Sequence, residues 1–170
     1  MGNKESREFM KQRELFADVL RAKTQDRDVT ADVHFLGVGV RRVQLLCMPS
    51  FGEGFSWDVR QLKEQWLLYR GIVPSDVRCA RGYDRLAADS RKLNDFFHEL
   101  CAVTLPLKPN MSGTGGADGT LFQLAVFGDL HSRIRFEWWS EYPTQWKPLI
   151  EIAERMRKYF QACDVIAHQP

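Results

Sequence analysis

The sequence predicts an α+β domain: an antiparallel or mixed sheet of about four to six strands with helices packed on it. Three observations carry that prediction. Residues 133–138 alternate polar and apolar side chains, and Phe122, Leu124 and Val126 recur at the same period of two on the other side of Gly128-Asp129. Residues 89–104 and 144–161 repeat their apolar side chains three and four positions apart, as buried helix faces do. Asp32–Met48 is rich in β-branched and apolar residues. The predicted helices are an N-terminal one, 89–104 and 144–161, and residues 1–170 are expected to form a single domain.

Within the N-terminal part, 1–23, an amphipathic helix is expected over 4–23. Phe9, Phe16 and Leu20 share a face edged by Met10, Leu15 and Val19, and charged residues fill the remainder. Lys23–Thr30 is polar and reads as a connection. Asp32–Met48 then reads as two strands or one long bent strand, with Gly37 and Gly39 marking a bulge or bend. Its second run, Val43–Met48, is apolar on both faces and so belongs centrally in the sheet. Pro49–Gly54 is a loop, after which Phe55, Trp57 and Val59 alternate briefly. Gln65–Val73 is read as a strand rather than a helix end, because Pro74-Ser75-Asp76 closes it as a turn.

Asp89–Thr104 has Leu93, Phe96, Phe97, Leu100 and Val103 on one stripe. Asp89 or Ser90 supplies the N-cap, and Pro106 and Pro109, which lack the amide donor, end the element. Residues 105–119 form a Gly/Pro-rich loop. Over 120–161 a hairpin leads into the C-terminal helix. Phe122, Leu124 and Val126 share a face of the first strand; Ile134, Phe136 and Trp138 share a face of the second. Thr144 is the expected N-cap, Pro148 sits in the first turn, and Trp146, Leu149, Ile150, Ala153, Met156 and Phe160 make the apolar face.

Composition narrows the function classes. Of 170 residues, 44% are apolar and 27% charged, and the formal net charge is +2. There are 15 basic and 12 acidic residues through Arg85, and 9 and 10 after it. That balance lacks the clustered basic excess of a nucleic-acid binder. No apolar run of about 18 residues is present, so no membrane span is expected. Cys47, Cys79, Cys101 and Cys163 are widely spaced without C-x-x-C, which points to free thiols in a reducing, cytoplasmic setting. Gly2 with Ser6 fits an N-myristoylation pattern; the competing reading docks the N-terminal helix on the domain's own core.

Four further stretches are candidate sites. Gly128-Asp129-Leu130-His131, after an apolar strand, resembles the first metal-binding motif of calcineurin-like metallophosphoesterases. That resemblance implies a metal held by Asp129 and His131. It covers four residues, and no G-N-H-[DE] follows to supply the other ligands of a two-metal site; the plainer reading is a hairpin turn. Ser112–Gly116 is glycine-rich but leads into a strand, whereas a phosphate loop leads into a helix, so it reads as a flexible loop. His98 and Cys101 lie one helical turn apart, and are read as an imidazole beside a buried thiol rather than a nucleophile pair. Last, Arg133, Arg135, Glu137 and Trp139 point away from the Ile134 face, with Tyr142 close by. Exposed arginines and aromatics anchor protein interfaces.

The expectation is therefore a non-enzymatic cytosolic protein-binding module without cofactor or metal, its partner another protein met through Arg133, Arg135, Trp139 and Tyr142. By analogy it would be an immunity-type or accessory protein of a bacterial multi-protein system. The alternatives are a small metal-dependent hydrolase using Asp129 and His131, and a structural homo-oligomer that donates its N-terminal helix.

Overall fold

The computed structural model describes residues 39–73, 81–106, 119–128 and 132–169. The chain divides into two units, Met1–Leu36 and Gly37–Pro170, and everything described belongs to the second. The expected N-terminal helix, the turn at 74–76, Ser112–Gly116, Asp129 and His131 lie outside the described residues.

Among the described residues seven strands form one sheet: β1 (Val40–Pro49), β2 (Gly54–Leu62), β3 (Gln65–Val73), β4 (Arg81–Leu86), β5 (Thr120–Phe127), β6 (Arg133–Trp138) and β7 (Val165–Gln169). Their order is β6-β5-β1-β2-β3-β4-β7. Each adjacent pair is antiparallel, which settles the antiparallel-or-mixed alternative. The expected four to six strands are corrected to seven. The two that the sequence hides are β4, whose Arg-Gly-Tyr-Asp-Arg-Leu has no apolar period, and the short β7. β4 is held by backbone pairing to β3 and β7, and β7 by pairing to β4. As expected, Gln65–Val73 is a strand and the Val43–Met48 run is interior, flanked by β2 and β5.

Helix α1 (Ser90–Ala102) begins where Asp89 accepts the Arg91 amide at 2.8 Å, so Asp89 is its N-cap. Helix α2 (Lys147–Gln161) starts differently from the expectation. Thr144–Trp146 is a turn of 3₁₀ helix, and Trp146 occupies the cap position without a side-chain bond. Thr144 is therefore not the cap; the Trp146 amide donates to Pro143 O at 2.8 Å.

Cross-strand register decides what the helices cover. Val43, Leu45 and Cys47 lie opposite Val59, Trp57 and Phe55 on β2, and opposite Val126, Leu124 and Phe122 on β5. Partners in register share a face. On that face Leu93, Phe96 and Leu100 of α1 and Leu149, Met156 and Phe160 of α2 close the core. Phe160 is fully buried and meets both Trp57 and Phe96 with ring centroids 6.3 Å apart. Burying such a side chain stabilises by about 1.5–3 kcal/mol. The Asp89 amide donates to the Tyr159 hydroxyl at 2.8 Å, tying the start of α1 to α2.

The β1–β2 register shifts between Arg41 and Val43, so the chain holds a bulge at Arg42. Without it Arg41 would share the Val43 face. The extra residue sends Arg41 to the opposite face, opposite Arg60.

Candidate functional site

β6 is an edge strand; among the described residues it pairs with β5 alone. The hairpin closes where the Gly128 amide donates to Ser132 O at 2.9 Å. Ile134, Phe136 and Trp138 then oppose Val126, Leu124 and Phe122, while Arg133, Arg135 and Glu137 oppose Phe127, Ala125 and Gln123. On the inner side Trp138 stacks on Phe122, centroids 5.6 Å apart and planes 14° apart. Phe136 meets Trp146 edge-on at 5.6 Å.

Parity separates the two adjacent indoles, because successive strand residues face opposite ways. Trp138 is 5% exposed and Trp139 is 41% exposed. Tyr142 is 36% and Ile134 62% exposed. Ser140 fixes the corner between them by accepting the Thr120 amide at 2.9 Å. Three apolar side chains thus line one strand edge and its exit, with Arg133 and Glu137 exposed among them.

The face away from α1 and α2 carries a second constellation. Asp58 Oδ2 accepts from Arg41 Nη2 at 2.7 Å, Arg41 Nε at 2.9 Å and Arg60 Nη2 at 3.3 Å. All three residues are buried. Arg60 Nη1 also donates to Gly39 O at 3.1 Å. Asp58 Oδ1 accepts no hydrogen bond within the described structure. Tyr69, opposite Asp58 on β3, titrates above its usual value because burial disfavours the phenolate, against the opposing pull of Arg85 and Arg60. Two guanidiniums thus share one buried carboxylate where the β1–β2 register shifts. The cluster reaches toward the β6 edge: the Arg41 guanidinium lies 5.7 Å from the Phe127 ring centroid, and Arg133 lies 6.0 Å from it.

No protein-family model, curated protein or solved structure matches this chain.

The other sequence candidates stand apart from this edge. His98 and Cys101 are both exposed on α1, so the thiol expected to be buried at 101 is not. Position 101 lies about 100° round the helix from the buried Leu100. Cys47 and Cys163 are half-buried instead, and burial pushes both thiols up, away from the reactive thiolate. Cys163 donates to Tyr159 O at 3.3 Å. No three His, Cys, Asp or Glu among the described residues are placed to hold a metal ion. No described helix is long and apolar enough to cross a membrane.

Sequence reasoning named the outward row Arg133, Arg135, Glu137 and Trp139 without placing its strand at a sheet edge, and it missed Arg41, Asp58 and Arg60. The brief alternation of Phe55, Trp57 and Val59 assigned no role to Ser56, Asp58 and Arg60 between and after them. The signal that marks them is the charged pair Arg41-Arg42 interrupting a β-branched run, where only a bulge lets the apolar period resume.

Proposed function

We propose that the chain is a protein-binding module whose recognition surface is the β6 edge with Arg133, Arg135, Trp139 and Tyr142. The observation that carries the proposal is the division of Trp138 and Trp139. One indole is spent on the core and its neighbour stands 41% exposed at the end of an edge strand. Exposed Trp, Tyr and Arg side chains are the usual anchors of protein interfaces. An edge strand adds backbone N–H and C=O groups that an extended segment of another protein can pair with. A neutraliser of a partner toxin and an accessory factor of a bacterial multi-protein system both act through surfaces of this kind, and the proposal takes in both. Free thiols at Cys47, Cys101 and Cys163 suit work in a reducing cytosol.

Affinity capture with the full chain, compared with Trp139→Ala, tests this. A protein retained by the native chain and lost with the variant, at unchanged circular dichroism, is the expected result. Capture that is indifferent to Trp139 removes the proposal.

A further inference from the structure

Strand β6 reads Arg-Ile-Arg-Phe-Glu-Trp, with neither the lysine nor the proline that commonly blunts an exposed edge. Its Ile134 is 62% exposed. With the β6 edge as the recognition surface, on which this step rests, we infer that the partner it fits is a second copy of this chain. The two β6 strands would run antiparallel about a two-fold axis through Phe136 and continue the sheet from one molecule into the next.

Symmetry makes the inference specific. A two-fold axis perpendicular to the sheet keeps the helix-covered faces on the same side. Inner residues then oppose inner residues, and outer oppose outer. The axis must therefore pass through a residue. Centred on Ile134, Arg133 faces Arg135 twice. Centred on Arg135 or on Glu137, that charge faces itself. Centred on Phe136, Arg135 faces Glu137 of the second copy, Glu137 faces its Arg135, and Arg133 faces its Trp139. Ile134 then faces Trp138 of the second copy, and Phe136 faces Phe136. Centred on Arg133, that charge again faces itself, and centred on Trp138 the pairing runs out of the strand, which ends at Trp138. Of the registers that keep the pairing within β6, the Phe136 one alone sets no like charges opposite each other, and it meets each arginine with a carboxylate or an indole. The other sheet edge, β7, carries Val-Ile-Ala-His-Gln, in which no carboxylate or guanidinium exists to choose a register.

The paired strands are short, so the dimer belongs with small, concentration-dependent interfaces. Sedimentation velocity of the full chain over a dilution series tests it. The native chain is expected to approach twice its 19.7 kDa at high concentration and to dissociate on dilution. Glu137→Arg places arginine against arginine twice and weakens self-association by roughly tenfold or more. Arg135→Glu does the same with carboxylates. An equimolar mixture of the two variants restores both ion pairs, so it dimerises while neither does alone. Should Arg135→Glu fail to fold, native chain against Glu137→Arg and Ile134→Lys decides the matter. A native chain that stays monomeric throughout, or a Glu137→Arg chain that dimerises like the native one, overturns the inference. A monomer whose capture of a different protein still depends on Trp139 removes self-pairing but leaves the protein-binding proposal standing.

Discussion

Arg41 grips Asp58 through two nitrogens, Nη2 at 2.7 Å and Nε at 2.9 Å, with both side chains removed from water. The contact exists because a bulge turns Arg41 to the face that Asp58 already occupies. Arg60 completes the group from the same strand as Asp58. Both guanidiniums share this one carboxylate, so its removal takes a buried counter-charge from each of them.

Asp58→Ala is therefore expected to destabilise the fold by about 3–5 kcal/mol, the range seen when one member of a buried ion pair is deleted. Arg155, which pairs with Glu99 between the helices in an exposed position, gives the contrast. Arg155→Ala is expected to lose about 1 kcal/mol or less. Urea denaturation midpoints of the two variants check the difference.

The in-and-out placement of the adjacent tryptophans gives a second expectation. Trp138→Ala removes a side chain stacked on Phe122 and destabilises by about 3–5 kcal/mol. Trp139→Ala stays within about 1 kcal/mol of the native chain. Thermal melts followed by far-ultraviolet circular dichroism separate them; equal losses would mean that Trp139 is core.

Gly39 and Gly52 both adopt left-handed backbone, at φ +80 and +95, yet they predict different outcomes. A Cβ on Gly39 would lie 2.4 Å from Gln61 O, and the Gly39 carbonyl itself accepts from Arg60. At Gly52 a Cβ meets nothing within 4 Å. Gly39→Ala is expected to destabilise by about 2–3 kcal/mol and Gly52→Ala by about 1 kcal/mol. Chemical denaturation ranks the two.

Burial raises the thiols of Cys47 and Cys163 above their usual 9.0, and the phenols of Tyr69 and Tyr159 above 10.0. Below those values folded and unfolded chains hold the same protons at these groups, so they make no pH dependence. Above them the unfolded chain releases protons that the fold retains, and stability falls as pH rises. The melting temperature is expected to decline from about pH 9 upward on account of these groups. Cys47→Ser should make the first part of that decline shallower. In a Cys79→Ser background at neutral pH, alkylation followed by mass spectrometry should label Cys101 well before Cys47 or Cys163.

The hairpin and α2 were legible because their apolar residues recur at two distinct periods, and nothing interrupts either. The same reasoning placed Arg133, Arg135 and Trp139 on the outer face, since parity alone decides it. β4 was not legible because its strand character rests on pairing with β3 and β7, not on side chains. The Arg41–Asp58 contact was hidden for another reason. The residues are seventeen positions apart and join only after the bulge shifts register, an effect that no window of local periodicity contains. Thr144 looked like a cap because threonine commonly is one, but Pro143 O had already taken the Trp146 amide.

If the β6 edge recognises protein, a photo-crosslinking residue at the exposed Glu141, between Trp139 and Tyr142, will capture what it meets. Irradiation in cells is expected to give a discrete covalent protein adduct, of a second copy or of a different chain, that disappears when Trp139→Ala is added. The same probe at the exposed Lys147 should give none. No adduct at 141, or one that survives Trp139→Ala, would contradict recognition through this edge.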